Sequence, residues 1–184
     1  MKKQLALCTL FAAICMLFGC TASAPTEVSA AATESYYVPA LGGTQLAVDV
    51  HFPAGAKNKK LPALLELTRY WRGAEDPETG EPLPSLRARD SFFLNNDYIL
   101  VKVDVRGTGA SYGKRPGEYS PTEVRDAAYI VDWVVNQAWS DGTVGAYGTS
   151  YSGTTAELLC ATGHEAIKAV IPGWSDFDIY ESPG

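Results

Sequence analysis

The residues Val144-Gly145-Ala146-Tyr147, then Gly148-Thr149-Ser150-Tyr151-Ser152-Gly153 and the helical run that ends at Gly163, decide how this chain is read. Val144–Tyr147 reads as a short strand and Tyr151–Gly163 as a helix, so Ser150 falls on the corner between them. A serine at such a corner is lifted above the sheet, where its hydroxyl is open to a ligand. Gly148 and Gly153 let strand and helix approach closely, and Ser152 is small enough to sit beside the bend. The backbone N–H of Tyr151 opens the helix and points toward negative charge developing near the hydroxyl, which the helix dipole also favours. The pattern alone is weak, because glycine and serine are common enough here for roughly one match in ten such chains. A Gly/Ser loop with a solvated serine is the alternative, and the surrounding elements decide between the two.

Working outward, Val48–Phe52 alternates like a half-buried strand and precedes a lysine-bearing turn, Pro53–Lys60. Leu61–Leu67 and Tyr98–Val105 are compact apolar runs that read as buried strands, and Pro62 stands near the start of the first, where a strand tolerates it. Ser85–Asn95 between them fits a helix, stopped by Asn96-Asp97. Ser120-Pro121-Thr122-Glu123 marks a second helix start: an N-cap serine, proline at the first helical position, and glutamate three residues after the cap. Val124, Ala127, Ala128, Val131, Val134 and Val135 then form one apolar face. Ala166–Ile171 reads as a last strand. This alternation predicts an α/β fold, a mostly parallel sheet with helices on both faces. Ligands of such sheets bind at the carboxyl ends of the strands. Tyr70, Arg106 and Ser150 each follow a different strand end, so all three are expected in one crevice.

Several blocks in this order resemble a known family. They are Asp104-Val105-Arg106-Gly107-Thr108-Gly109-Ala110-Ser111, Glu123 and Asp126 with Trp133, Gln137-Ala138-Trp139-Ser140-Asp141-Gly142, and Val144-Gly145 leading to Gly148–Gly153. The chain from about Thr44 onward is similar to the X-Pro dipeptidyl-peptidase and cocaine-esterase (CocE/NonD) family of α/β-hydrolases. The resemblance implies a serine hydrolase, an acyl esterase or X-Pro dipeptidyl-peptidase, working through a Ser acyl-enzyme on a small ester or peptide. It makes Ser150 the nucleophile, the Tyr151 N–H one oxyanion donor and the Tyr70 hydroxyl the other. Arg69 stands where the family more usually has proline. Read without the family, Tyr70 is a strand-end aromatic packing on Trp71.

The remaining polar residues read as structural. Asp104 and Arg106 suggest an active-site ion pair, but a braced Gly-rich turn is the simpler reading. Glu123 and Asp126 occupy a first helical turn, where the dipole favours acids. Trp133 and Trp139 read as packing, and Asp176 and Asp178 follow the last strand with no visible partner. A serine nucleophile needs a histidine and an orienting acid after it in the chain. His51 precedes Ser150, and His164 reads as a surface turn residue. The expectation is therefore an incomplete catalytic domain, inactive or very weakly active alone, whose partner is a further C-terminal part of the same enzyme. A non-catalytic surface lipoprotein or pseudoenzyme on a degenerate hydrolase scaffold is the alternative.

At the start, Lys2 and Lys3 precede about 14 mostly apolar residues, too few to span a bilayer comfortably and typical of an export signal. Leu17-Phe18-Gly19-Cys20 resembles a lipobox, which makes Cys20 the lipidation site and anchors the protein to a membrane. Simple cleavage after Val28-Ser29-Ala30, giving a periplasmic or secreted protein, is the other reading, while cleavage after Ala22-Ser23-Ala24 is disfavoured by Pro25. The organisation expected is a signal peptide over 1–20, a small polar tether over 21–34 and a partial hydrolase domain over 35–184. Cys8 and Cys15 fall in the signal, leaving Cys160 as a free thiol expected to be buried on a helix. Without Lys2 and Lys3 there are 13 basic against 21 acidic residues, a net charge of −8 that argues against nucleic acid as a partner. No motif calls for a metal or other cofactor.

Overall fold

Strands form wherever the apolar runs expected them, and with one further strand they assemble into a six-stranded sheet. The computed structural model describes residues 30–83 and 86–176. In chain order these form β1 (Ala32–Pro39), a 3-10 turn (Leu41–Gly43), β2 (Gln45–Phe52), β3 (Leu61–Thr68) and the short hairpin β4 (Ala74–Glu75) and β5 (Pro82–Leu83). Then come α1 (Ala88–Asn95), β6 (Ile99–Asp104), α2 (Pro121–Val135), β7 (Ser140–Thr149), α3 (Tyr151–Ala161) and β8 (Ile167–Gly173). The sheet order is β1-β2-β6-β3-β7-β8; β6, β3, β7 and β8 run parallel, whereas β1 and β2 add an antiparallel pair at one side. The chain is a mostly parallel α/β sheet, as its alternation implied.

Alternation along the buried strands sorts their residues onto two faces. Leu65, Leu67, Ile99, Val101, Val103, Val144 and Ala146 face α2 and α3, meeting Ala127, Ile130, Val131, Val134, Ala156 and Leu159 in the main core. Leu64, Leu100 and Tyr147 face α1 and pack with Leu94. At the start of α2, Ser120 caps as expected, its hydroxyl accepting from Glu123 N at 3.3 Å with Pro121 in the first turn.

Several boundaries differ from the sequence expectation. β1 was not foreseen: it begins at Ala32, inside the segment read as a tether, because pairing with β2 holds a stretch whose small polar residues show no strand pattern. β7 extends to ten residues, its glycines tolerated because β3 and β8 flank it on both sides. α1 starts at Ala88 rather than Ser85, where the Asp90 carboxylate accepts from Arg87 N at 3.0 Å and closes the first turn. Cys160 is exposed on α3, not buried, since its neighbour Leu159 takes the core-facing position. The export signal, the lipobox at Cys20 and Asp178 lie outside the described residues.

Candidate active site

β7 ends at Thr149 and α3 begins at Tyr151, leaving Ser150 alone at the corner with φ 60° and ψ −128°. A side chain rarely adopts that conformation, and it persists only where its surroundings enforce it. Here Ser150 N donates to Gly173 O at 2.8 Å, while Gly153 N and Thr154 N both donate to Ser150 O. The glycines make the bend possible: a Cβ on Gly148 would collide with the Ser152 carbonyl, and one on Gly153 with the Gly173 carbonyl. Ser150 is consequently exposed.

The Tyr70 hydroxyl lies 3.4 Å from Ser150 Oγ, brought there by the turn after β3, where Tyr70 N donates to Thr68 Oγ1 at 2.9 Å. Its ring meets Tyr151 edge to face at 6.2 Å rather than packing on Trp71, which is itself exposed. The Tyr70 phenol is held below the usual tyrosine range by its hydrogen bond to Ser150 first and that from Arg69 next, with a smaller contribution from the Tyr151 N–H. A phenol shifted in that direction is a stronger donor toward developing negative charge.

Tyr151 is buried and locked from several sides. Its hydroxyl donates to Glu123, its ring stacks on Tyr119 at 4.9 Å, and the Arg115 guanidinium lies 5.0 Å from its centre. Burial, together with the Glu123 carboxylate, pushes its phenol well above the ordinary value, so it stays protonated. The tyrosine thus anchors the first turn of α3, whose N–H faces the corner. Glu123 and Asp126 support this frame rather than contact Ser150: Arg115 Nε lies 3.3 Å from Glu123.

Arg106 does not join the crevice. Its guanidinium clamps Asp126 through two 2.7 Å bonds and reaches Thr44 Oγ1 at 2.5 Å and Leu41 O at 2.8 Å. Asp104 pairs with Arg72 instead, accepting from its backbone N and its guanidinium at 2.7 Å each. A Cβ on Gly109 would strike that same carboxylate, which explains the glycine in this turn. The three residues expected together therefore reduce to two, because the Arg106 side chain is drawn back under α2.

Neither histidine reaches the serine. His51 is buried on β2, its Nδ1 2.9 Å from Thr33 Oγ1, and His164 lies beyond the far end of α3, 3.2 Å from Asp132. Asp176 N donates to Thr154 Oγ1, placing that residue beside α3. Among the described residues there is no cluster of His, Cys, Asp and Glu suited to a metal. Sequence reasoning missed Arg115, Glu118 and Tyr119 and the part played by Arg69, which together wrap the two tyrosines; the one Arg and two Tyr within 112–119 were the available signal for the first three.

Residues 42–183 match the profile of the X-Pro dipeptidyl-peptidase (S15) family. The chain belongs to this family. Among S15-related proteins it is 44% identical over 156 residues to a Mycobacterium bovis protein described as a serine esterase, covering 79% of this chain and 25% of that one. It is 31% identical over 148 residues to the cocaine esterase of a Rhodococcus species, covering 79% and 24%. In fold it is similar to a CocE/NonD hydrolase from Staphylococcus aureus, with TM-score 0.66, 26% identity and coverage of 80% and 28%. An α-amino acid ester hydrolase matches with TM-score 0.63, 28% identity and coverage of 85% and 28%. The chain spans about a quarter of the length of the curated relatives it matches. The family is that of X-Pro dipeptidyl-peptidases, and the two curated relatives are described as a serine esterase and a cocaine esterase.

Proposed function

We propose that this chain is the nucleophile-bearing part of an exported serine hydrolase that cleaves small esters or X-Pro peptides through an acyl-enzyme on Ser150. The observation that carries the reading is the corner itself: an exposed serine in a strained conformation, with a phenol 3.4 Å away and a helix N-terminus behind it. Ser150 Oγ would attack the acyl carbonyl, passing its proton to a histidine paired with an acid, both from a further segment of the enzyme. The oxyanion would take hydrogen bonds from the Tyr70 hydroxyl and the Tyr151 N–H. The alcohol or amine would leave, and water would release the acid. Lipidation of Cys20 would tether the enzyme to a membrane, with simple secretion as the other route of export.

One observation favours a second reading, a non-catalytic lipoprotein or pseudoenzyme: both histidines are committed elsewhere. Fluorophosphonate labelling mapped by mass spectrometry separates the two. An active corner gives slow but selective modification of Ser150, lost in Ser150→Ala and about 10²-fold slower in Tyr70→Phe. Ser150 no more reactive than the other serines in an enzyme that also carries the histidine and its acid would sink the hydrolase reading.

A further inference from the structure

We propose that Arg69 is a positioning residue for this site: held by Glu118, its guanidinium fixes the Tyr70 hydroxyl so that the phenolic proton faces Ser150. The inference rests on the Ser150 reading and adds to it a residue that reading does not use.

Arg69 Nη1 pairs with the Glu118 carboxylate, and Nη2 donates to the Tyr70 oxygen at 3.2 Å. The guanidinium carbon lies 4.9 Å from the centre of the Tyr70 ring and 5.1 Å from that of Tyr151, so the group spans both tyrosines. A guanidinium carries five N–H donors and no acceptor. Tyr70 must therefore accept from Arg69, and the phenol cannot turn its single proton that way. Among the described residues, the acceptor left for the phenolic proton is Ser150 Oγ, 3.4 Å away.

This matters because Tyr70 is half exposed, and an unheld hydroxyl there would rotate freely into solvent. A donor whose proton is already held on the Ser150 side needs little reorganisation when charge appears on an acyl oxygen bound there. Glu118 keeps the device rigid. It also lies 3.7 Å from Arg115, the arginine over the Tyr151 ring, so one carboxylate bridges the supports of both tyrosines. The groups around Tyr70 are thus Arg69 on its own loop, Arg115, Glu118 and Tyr119 from the segment before α2, and Ser150 and Tyr151 from the corner.

The test needs no turnover. The chain carrying ¹³C at tyrosine Cζ is titrated by NMR, with the Tyr70 signal assigned by its loss in Tyr70→Phe. A neighbouring cation favours the phenolate, so Arg69→Met moves the Tyr70 midpoint up. Arg69→Lys keeps the charge without the planar fork and restores only part of the shift. A Tyr70 midpoint unmoved in Arg69→Met, or no lower in Arg69→Lys than in Arg69→Met, overturns the proposal and leaves the Ser150 reading standing. Should Arg69→Met melt below the parent chain, Arg69→Gln carries the same test with the same expected shift. Unselective labelling at Ser150 in an enzyme that also carries the histidine and its acid, alongside a shifted Tyr70 midpoint, would instead remove the hydrolase reading alone.

Discussion

Toward α2 and α3, β6 presents Ile99, Val101 and Val103; toward the opposite side of the sheet it presents Leu100, Lys102 and Asp104. Both sides are buried, yet they are built from different materials. The first is an unbroken apolar layer that Ile130, Val131 and Val134 complete. The second holds a charged network: Lys102 Nζ lies 2.6 Å from Asp90 and 3.6 Å from Glu66, while Arg89 bonds Glu66 at 3.2 Å. Tyr147 donates to Asp90 at 3.1 Å, and Arg89 reaches Thr149 Oγ1 at 3.1 Å, one residue from Ser150. The contrast teaches that the dry layer supplies cohesion, whereas the charged layer ties α1 and the strands beneath it to the corner.

The strongest way to break this contrast is to remove one ion from the charged side. Asp90→Ala removes the nearer of the two carboxylates that hold Lys102 in the interior, and a loss of about 3–5 kcal/mol in urea denaturation is expected. Replacing both partners, Asp90→Leu with Lys102→Met, should recover most of it; a double variant as unstable as Asp90→Ala would show that the network is more than mutual compensation.

Acid separates the two faces next. Burial, followed by the nearby Lys102 charge, holds His51 down to about 4. An unfolded histidine keeps its ordinary value near 6.5, so between roughly pH 6.5 and 4 the unfolded chain binds the extra proton. Stability is fully present above that window and falls by about 3 kcal/mol across it. In His51→Gln that part of the slope should vanish, and pH-dependent thermal melts that superimpose for the two proteins would refute the assignment. Asp90 acts lower on the scale. Its carboxyl is raised by burial but pulled down further by Lys102 and its hydrogen bonds, so its contribution is lost only as pH drops below the ordinary carboxylate range.

The dry side should respond least to a conservative change. Ile130→Val removes one buried methylene and should cost about 1 kcal/mol, with no change in pH dependence. A steeper acid slope in that variant would show that the two layers are coupled.

This division also explains what could be read from the chain. Leu61–Leu67 and Tyr98–Val105 announce strands by their apolar content, and Val124 to Val135 announce a helix by period, so the sheet and α2 were legible. Lys102 inside Ile99–Asp104 looks like a lapse in an apolar run, because its partners Asp90 and Glu66 come from other elements. Ser150, Tyr70 and Tyr151 were legible through ordered motifs and sit together as implied. The course of Arg106 was not, since Gly109 leaves room for Asp104 and Asp126 draws the guanidinium away. Arg69 escaped because nothing in sequence reveals that Glu118 lies within its reach.

The bend at position 150 has an evolutionary corollary. Its backbone suits glycine, and a side chain there carries a conformational penalty on the order of 1–3 kcal/mol. Ser150→Gly should therefore make a sturdier scaffold with nothing left at its tip. A chain tuned for robustness alone would drift toward that residue; under the proposed function, the hydroxyl gives up that toughness in favour of reactivity.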